Sequence, residues 1–549
     1  MIKGSMQSTK VKTTCPFCLY GCELAIVSSV NNYVQNIEYP SEARVNQGRL
    51  CPRGNSASII LGDKKRLSNP LFQNKEISWT KALAEITQVI KSFDKNEIAI
   101  TFDKNLTEEE IILINGFANA LGIENFASSY LEPEFHFSYR LENCSTATLE
   151  DIEQAKVFVL VGDVFGQTPV IAKPILNARY ADRNNKIFVI DSIQTRTAGF
   201  ADKFLYCRPG TESLLLAVMS SSLSGKIKGL EIESIAEVSG VSANSIETVA
   251  KAFSNINPGV LIAAMSFGRN ENPFLLSLTG QALTIKAGGE KKFLGIGEAR
   301  NDFGKTGFSS IYTKIKQGAI KALINFGDTF PHYYPQLKDI LSQLDTLITT
   351  AVFKPRTQDN ELNLSVASNL EKSGMVKTLW GEAKITKTLN PFSGSKTVKE
   401  IIELIDQGLA LAKNSGPKYE AKVATTREVY ELARDFLAIK QQSSEKDKFL
   451  LLGEKPAIGF LNIFDPENII KMNPADCTEL NLKENDSVRV ASANHETELI
   501  VRTTNQVRKG VTLVGVNRIE NRQLFPMVID NATNNVIFPP TKISVWQKE

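Results

Sequence analysis

The sequence predicts a multidomain α/β protein: a small cysteine-bearing N-terminal domain, two doubly wound α/β domains, and a C-terminal β-barrel-like domain. Three observations carry this reading. Four of the seven cysteines fall in the first tenth of a 549-residue chain. Strand–loop–helix repeats run through the middle, the grammar of a parallel sheet with helices on both faces. From Phe449 onward, short alternating strands separated by turn residues take over.

Length and composition bound the answer. A chain of 549 residues exceeds what one hydrophobic core serves and suggests three or four domains. Its 42% apolar and 22% charged residues suit a soluble globular protein. A net charge of +3 is nearly neutral for this size and indicates neither nucleic acid nor a membrane surface as partner. No apolar stretch approaches the ~18–20 residues of a membrane span. The start, MIKGSMQSTKVK, has neither the apolar segment of a signal peptide nor paired arginines. The expected location is the cytoplasm, a reducing compartment.

The first domain, residues 1–70, is organised by Cys15, Cys18, Cys22 and Cys51, spaced C-x2-C-x3-C-x28-C. Three thiols come from one tight turn and the fourth returns after a loop whose composition suggests a small hairpin. Thiolates are soft ligands, and four of them can enclose a [4Fe–4S] cluster. Zinc is the competing reading, but its sites usually pair two C-x2-C knuckles. A disulfide framework is the third, and nothing else in the chain looks secreted. Gly21, Gly54 and Arg53 are the candidates for tuning a cluster from just outside its ligands. Cys144, Cys207 and Cys477 are widely spaced and read as small buried hydrophobes.

The next domain is split, residues 71–150 with 311–440. Trp79 opens an amphipathic helix, WTKALAEITQVIKSF, and EIAITF is a short apolar strand. LTEEEIILINGFANALG reads as a helix capped by Thr107, with acids in its first turn and Gly122 closing it. After residue 311, KALINFGD and DTLITTAVF are strands, LEKSGMVKTLWGEAKI is a loop or hairpin, and KTVKEIIELIDQGLALA is a helix. Residues 151–310 form the inserted α/β domain. AKVFVLVGD, KIFVIDS, KFLYCRPG and GVLIAAMSFG are its strands, and Thr211 is expected to cap the helix ESLLLAVMSSSL. In such folds ligands bind beyond the carboxyl ends of the strands, so the loops 162–168, 191–199, 208–211 and 266–273 are the ones to watch. The polar run QQSSEKDK marks the boundary before the last domain, residues 449–549.

Taken in order, these segments resemble the molybdopterin oxidoreductase superfamily, which holds formate dehydrogenases, nitrate reductases and the large iron–sulfur subunit of respiratory complex I. The cysteine domain matches its cluster domain, and RLSNPL resembles R-L-x-x-P-L. KIFVIDSIQTRTAGFADKFLYCRPGTESLLL is similar to I-D-P-R-x-T-x-T-A…A-D…R-P-G-T-D, and VFVLVGDVFGQTPVI to a strand with G-x-N-P. ARNDFG, IKALINFGDTFP, LEKSGMVKTLWGEAKI and MNPADCTELNLKENDSVRVAS resemble further family segments in the family's order. The resemblance implies the multidomain fold described above, with a dinucleotide-binding-like domain at 151–310 and a molybdopterin dinucleotide-binding-like barrel at the end.

Departures from the family pattern shape the functional expectation. Catalytic members place a metal-binding Cys, selenocysteine, Ser or Asp just after an N-N segment; the corresponding stretch here reads NFASSYLEPEFHFSYRLENC, no Cys stands near Tyr130, and Cys144 lies too far along. Ser128 and Ser129 are the remaining ligand types there. His136 and Arg140 resemble the substrate pair of formate dehydrogenases, although their i, i+4 spacing also suits packing. Asp163 replaces a residue facing phosphate and would repel an anionic dinucleotide; Val164 and Phe165 add bulk beside it. Thr195, Arg196, Thr197, Arg208, Gly210 and Thr211 keep the family pattern for holding a pterin dinucleotide, or serve as strand-end and capping residues. Arg53 stands where many catalytic members place a Lys between cluster and pterin. The expectation is an iron–sulfur electron-transfer and scaffold subunit without molybdopterin guanine dinucleotide, its own catalytic site degenerate. Its partners would be flavin- or ferredoxin-type redox subunits of a hydrogenase or dehydrogenase module. The alternative is a catalytic molybdenum or tungsten bis-pterin oxidoreductase such as a formate dehydrogenase.

Overall fold

A computed structural model describes residues 8–29, 33–62, 64–103, 105–129, 131, 139–225, 227–297, 308–327, 330, 332–355, 360–409, 422–442, 449–454, 468–530 and 535–547. The chain divides into two compact units, Met1–Leu131 with Ala299–Tyr419, and Glu132–Glu298 with Glu420–Glu549.

The first unit begins with an antiparallel sheet of Ser8–Thr14, Glu23–Ser29 and Val34–Glu38. The last two strands are the hairpin expected between Cys22 and Cys51. The unit's main sheet has seven strands, in the order Lys75–Glu76, Leu71–Phe72, Glu361–Ser365, Thr346–Ala351, Ala322–Phe326, Ile98–Phe102 and Asn125–Ser128. Its last five strands run parallel. The helix Glu108–Leu121 starts as the sequence dictates: the Thr107 side chain accepts from the Glu110 backbone N–H, Glu110 reaches back to Thr107, and Gly122 closes the helix at φ 70°. This helix, Trp79–Ser92 and Val398–Leu409 cover one face of the sheet with Ile111, Ile114, Ile86 and Ile401, all fully buried or nearly so. LEKSGMVKTLWGEAKI forms the hairpin Gly374–Thr378 and Gly381–Ile385.

The second unit contains a five-stranded parallel sheet, ordered Lys203–Tyr206, Lys186–Asp191, Val157–Val161, Gly259–Ala264 and Lys291–Ile296. The order reverses at Val157–Val161, because the chain builds outward on one side and then returns to build on the other. Helices Glu212–Leu223 and Pro273–Ala287 are apolar all round, with residues such as Leu216, Val218, Leu276 and Leu283 at 3% exposure or less. Thr211 occupies the N-cap position but does not cap: its hydroxyl donates to the Arg208 carbonyl at 2.7 Å, leaving the helix start to other groups. The same unit carries a closed barrel of Phe449–Glu454, Val511–Gly515, Ile469–Met472, Glu496–Thr503, Ser487–Ala491 and Thr541–Gln547. Closure removes the open edges that short alternating strands would otherwise expose. No helix among the described residues is long and apolar enough to cross a membrane.

Candidate functional site: a four-cysteine turn and a switch-point crevice

The four N-terminal cysteines are brought together. The Cys15 N–H donates to the Cys22 carbonyl at 2.7 Å, which closes the turn carrying three of them. Cys51 sits immediately before the short helix Pro52–Asn55. Cys15 and Cys22 are buried, while Cys18 and Cys51 are half-buried. Burial pushes the Cys22 thiol up, and the neighbouring Cys15, Cys18 and Cys51 push it further. Four thiols gathered in a partly buried site repel one another once ionised, so they need cationic charge among them. Among the described residues no three His, Cys, Asp or Glu side chains converge on a single ion. A cube of several irons spreads its ligands more widely, and the donor set fits a [4Fe–4S] cluster.

The turn is clamped by the hairpin at 374–385. Leu379 N–H donates to the Leu19 carbonyl at 2.8 Å, and Thr14 Oγ1 to the Lys384 carbonyl at 2.9 Å. Tyr20 is fully buried, edge-on to Trp380 at 5.3 Å. Gly21 has φ 70°, and a Cβ there would fall 2.5 Å from Thr378 Cγ2, so the hairpin approaches where only glycine fits. Arg53 is 2% exposed in the helix after Cys51.

The second feature lies in the other unit, at the carboxyl ends of the five-stranded sheet where strand order reverses. This is where an open α/β sheet binds ligands. A narrow crevice of about 40 Å³, partly open to solvent, is lined there by Asp163, Gly166, Gln167, Ile193, Thr195, Ala264, Ser266 and Arg269, with Gly453, Glu454 and Leu513 from the barrel. Three of the four loops singled out in the sequence contribute to it. A Cβ on Gly166 would fall 1.9 Å from Asp163 Oδ2, so a larger residue there would displace that carboxylate.

Charge is concentrated at the floor. Arg269 Nη2 lies 2.5 Å from Asp191 Oδ1, with the two side chains 9% and 1% exposed. Burial pushes the Asp191 carboxyl up, against the pull of Arg269. Glu212, the first residue of its helix, is raised to about 7 by burial and by Asp191. Its ionisation therefore opposes folding. Glu212 costs nothing below its ordinary value of 4.5, and stability falls as pH rises from there to about 7. At 1.36 kcal/mol per unit, the loss reaches about 3 kcal/mol above neutrality. Glu212→Gln is expected to stabilise the protein by up to about that amount at pH 8 and to change little at pH 5, as read by urea denaturation at the two pH values.

The remaining sequence candidates are placed as follows. Thr195 Oγ1 donates to Asp191 Oδ2 at 3.3 Å. Thr197 Oγ1 donates to Asp163 Oδ1 at 2.8 Å and accepts from the Phe165 N–H at 2.9 Å. Arg196 is exposed. Arg208 is exposed and donates to the Glu237 and Val238 carbonyls at 2.9 and 3.2 Å, at the end of the helix Ile232–Ser239. Gly210 has φ 77° in the turn before Thr211. Ser128 ends its strand and Ser129, fully buried, follows it. His136 lies outside the described residues, and of Arg140 only the backbone, in the strand Tyr139–Leu141, is described. Sequence reasoning did not single out Asp191, Glu212, Arg269 or Gln167. Their signal was positional, each lying at or just past the end of a predicted strand or at a helix start.

A cysteine cluster domain, parallel α/β sheets and a closed barrel define an iron–sulfur redox protein with a ligand crevice at a switch point. The chain belongs to the molybdopterin oxidoreductase family: the family's model matches residues 66–503, and the molybdopterin oxidoreductase Fe4S4 domain matches residues 8–61. It is 32% identical over 225 residues to the F420-dependent formate dehydrogenase subunit alpha of Methanocaldococcus jannaschii, covering 39% of this chain and 33% of that one. It is 24% identical over 301 residues to the assimilatory nitrate reductase catalytic subunit of Bacillus subtilis, covering 47% and 42%. In these matches the chain spans less than half the length of the curated relatives. Acetylene hydratase from Pelobacter acetylenicus superposes with a TM-score of 0.70 over 98% of this chain and 100% of that one; at 12% identity this shows the fold alone.

These matches correct two expectations. The reading as an electron relay and scaffold with a degenerate catalytic site does not hold against relatives that are formate dehydrogenase alpha subunits and nitrate reductases. Loss of the molybdenum–pterin cofactor falls with it, and the structure supplies the physical reason. The Asp163 carboxylate, read as repelling phosphate, is tied down by the Gly166 N–H at 3.1 Å and by Thr197 Oγ1. Val164 and Phe165, read as obstructing bulk, are buried at 0% and 4% exposure and turn away from solvent. Local sequence showed the changed residue types but not which way they face.

Proposed function

We propose that the protein is a catalytic molybdenum or tungsten bis-pterin oxidoreductase of the formate dehydrogenase type, with its [4Fe–4S] cluster as electron outlet. The observation that carries this reading is the crevice at the strand-order reversal, in a chain whose family and curated relatives are of this class.

When bound, the pterin–metal group supplies the two-electron redox centre. The chain's own residues hold it. Thr195 lines the crevice, Thr197, Gly210 and Thr211 shape the turns beside it, and Arg196 and Arg208 offer positive charge. Arg53, buried in the turn after Cys51, steadies the negative charge of a reduced cluster. His136 and Arg140 are assigned to orienting a small anionic substrate. The proposed setting is cytoplasmic, with a flavin- or ferredoxin-type subunit taking the electrons.

The test is metal and cofactor analysis of anaerobically purified protein from a host that makes the cofactor. Roughly four irons per chain, with stoichiometric pterin and molybdenum or tungsten, and formate-dependent reduction of a viologen dye, are expected. Iron without pterin, molybdenum or tungsten would overturn the proposal.

A further inference from the structure

Cys51 comes to the other three thiols on a separate loop, and two buried side chains fasten that loop in place. The chain bends sharply just ahead of the cysteine. Gln47 and Gly48 follow one another in the left-handed region, at φ 45° and 71°. That region is disfavoured for a residue with a Cβ, and such a residue stays there only where its surroundings hold it. Part of the hold is the backbone: the Gln47 and Gly48 N–H groups donate to the Ala43 and Pro40 carbonyls at 2.9 and 3.0 Å.

The rest comes from Asn46, which heads the bend and is 2% exposed. Its Oδ1 accepts the Glu23 N–H at 2.9 Å, and its Nδ2 donates to the Glu23 carbonyl at 2.9 Å and to the Arg49 carbonyl at 2.7 Å. Glu23 directly follows Cys22, and Arg49 shortly precedes Cys51. The sheet explains why a side chain is needed here. Along one edge, the strand Glu23–Ser29 pairs with Ser8–Thr14 as far as Glu23; along the other, it pairs with Val34–Glu38 only as far as Ala25. The second edge therefore leaves the Glu23 N–H and carbonyl without a strand partner, and backbone polar groups need one. The Asn46 amide takes the place a neighbouring strand would fill. A second tie runs beside it: Tyr20, between Cys18 and Cys22, is fully buried, and its hydroxyl donates to the Val45 carbonyl at 3.2 Å.

We propose that Asn46, backed by Tyr20, is a positioning residue: it sets Cys51 in register with Cys15, Cys18 and Cys22 and so keeps the fourth corner of the cluster closed. This rests on the cluster reading of the four cysteines and is independent of the catalytic reading. Cys51 depends on such a tie more than the others do. Cys15, Cys18 and Cys22 share one turn, whereas Cys51 arrives on its own segment, and it is half-buried where Cys15 and Cys22 are buried. Freed from Asn46, the loop can swing its thiol away while the three-cysteine turn stays closed by the Cys15 N–H and Cys22 carbonyl.

The test challenges anaerobically purified full-length protein with an iron(II) chelator and iodoacetamide together. Absorbance follows iron release, and peptide mass mapping gives the order in which the cysteines are alkylated. Asn46→Ala removes all three side-chain hydrogen bonds. It is expected to release iron at least about tenfold faster than wild type, the ratio that one or two lost hydrogen bonds produce, with Cys51 alkylated ahead of Cys15, Cys18 and Cys22. Tyr20→Phe, which deletes one hydroxyl, should shift both readouts the same way by less. Unchanged release overturns the proposal. So does faster release with all four cysteines alkylated together, which marks a general loosening of the domain. If circular dichroism shows that Asn46→Ala does not fold, Tyr20→Phe decides on the same two readouts. Wild-type protein that binds no iron overturns the cluster reading and the positioning role with it.

Discussion

Cys51→Ser is expected to strip iron from the N-terminal domain, from roughly four atoms per chain to almost none. One ligand is lost formally, but the effect is larger, because Cys22 is a buried thiol whose ionised form burial disfavours. With the cluster incomplete, Cys22 loses the iron charge that offsets the repulsion of its neighbours, and its protonated form is favoured. Metal binding here is folding free energy. The turn closed by Cys15 and Cys22 and clamped by the hairpin at 374–385 should loosen as well. Iron analysis and visible absorbance check the first effect, and limited proteolysis near residue 20 checks the second. Iron content equal to wild type would refute the four-cysteine assignment.

Arg66→Met is expected to destabilise the first unit by about 3–5 kcal/mol, the usual cost of stranding one member of a buried ion pair. Arg66 makes two hydrogen bonds to Glu371, at 2.8 and 2.6 Å, and the side chains are 1% and 2% exposed. Glu371 Oε2 also accepts the Ser368 N–H at 2.8 Å, so its charge is fixed in place once Arg66 is gone. The guanidinium further lies 4.7 Å from the centre of the Phe392 ring. The pair joins the segment following the cluster domain to the segment preceding the clamping hairpin, so cluster loss should quicken too. Urea denaturation followed by circular dichroism and by cluster absorbance reads both. The double variant Arg66→Met, Glu371→Met should recover most of the loss, because an apolar pair leaves no buried charge.

Much of the architecture was legible because it is written in local patterns. The C-x2-C-x3-C-x28-C spacing located a site that needs only four like ligands. Thr107, the acids after it and Gly122 marked both ends of one helix, and each acts through groups three or four residues away. Val157–Val161 and Gly259–Ala264 read as buried strands because a parallel sheet covered on both faces leaves no polar alternation. Thr211 shows where local reasoning stops. It stands at a helix start, but its hydroxyl bonds the Arg208 carbonyl within the preceding turn.

The functional inference went wrong for a related reason. Asp163, Val164 and Phe165 were read by residue type at a position that faces phosphate in similar proteins. Whether a carboxylate repels a ligand depends on what already holds it. Here the Gly166 N–H and Thr197 Oγ1 do, and the latter lies 34 residues along the chain. The pair Asp191 and Arg269, 78 residues apart, was equally invisible, since neither residue carries a local signal for the other.

By itself, then, the sequence determined the cysteine-bearing N-terminal domain, the α/β alternation, the terminal barrel and the family, because these rest on spacing and periodicity that survive without knowledge of distant contacts. Only the tertiary structure decided which charges are neutralised and which bulky side chains turn inward. Those outcomes depend on parallel pairing between strands such as Ile98–Phe102 and Ala322–Phe326, which are more than two hundred residues apart. Side-chain charge and hydrogen-bond demand are settled by whatever that pairing brings within about 3 Å.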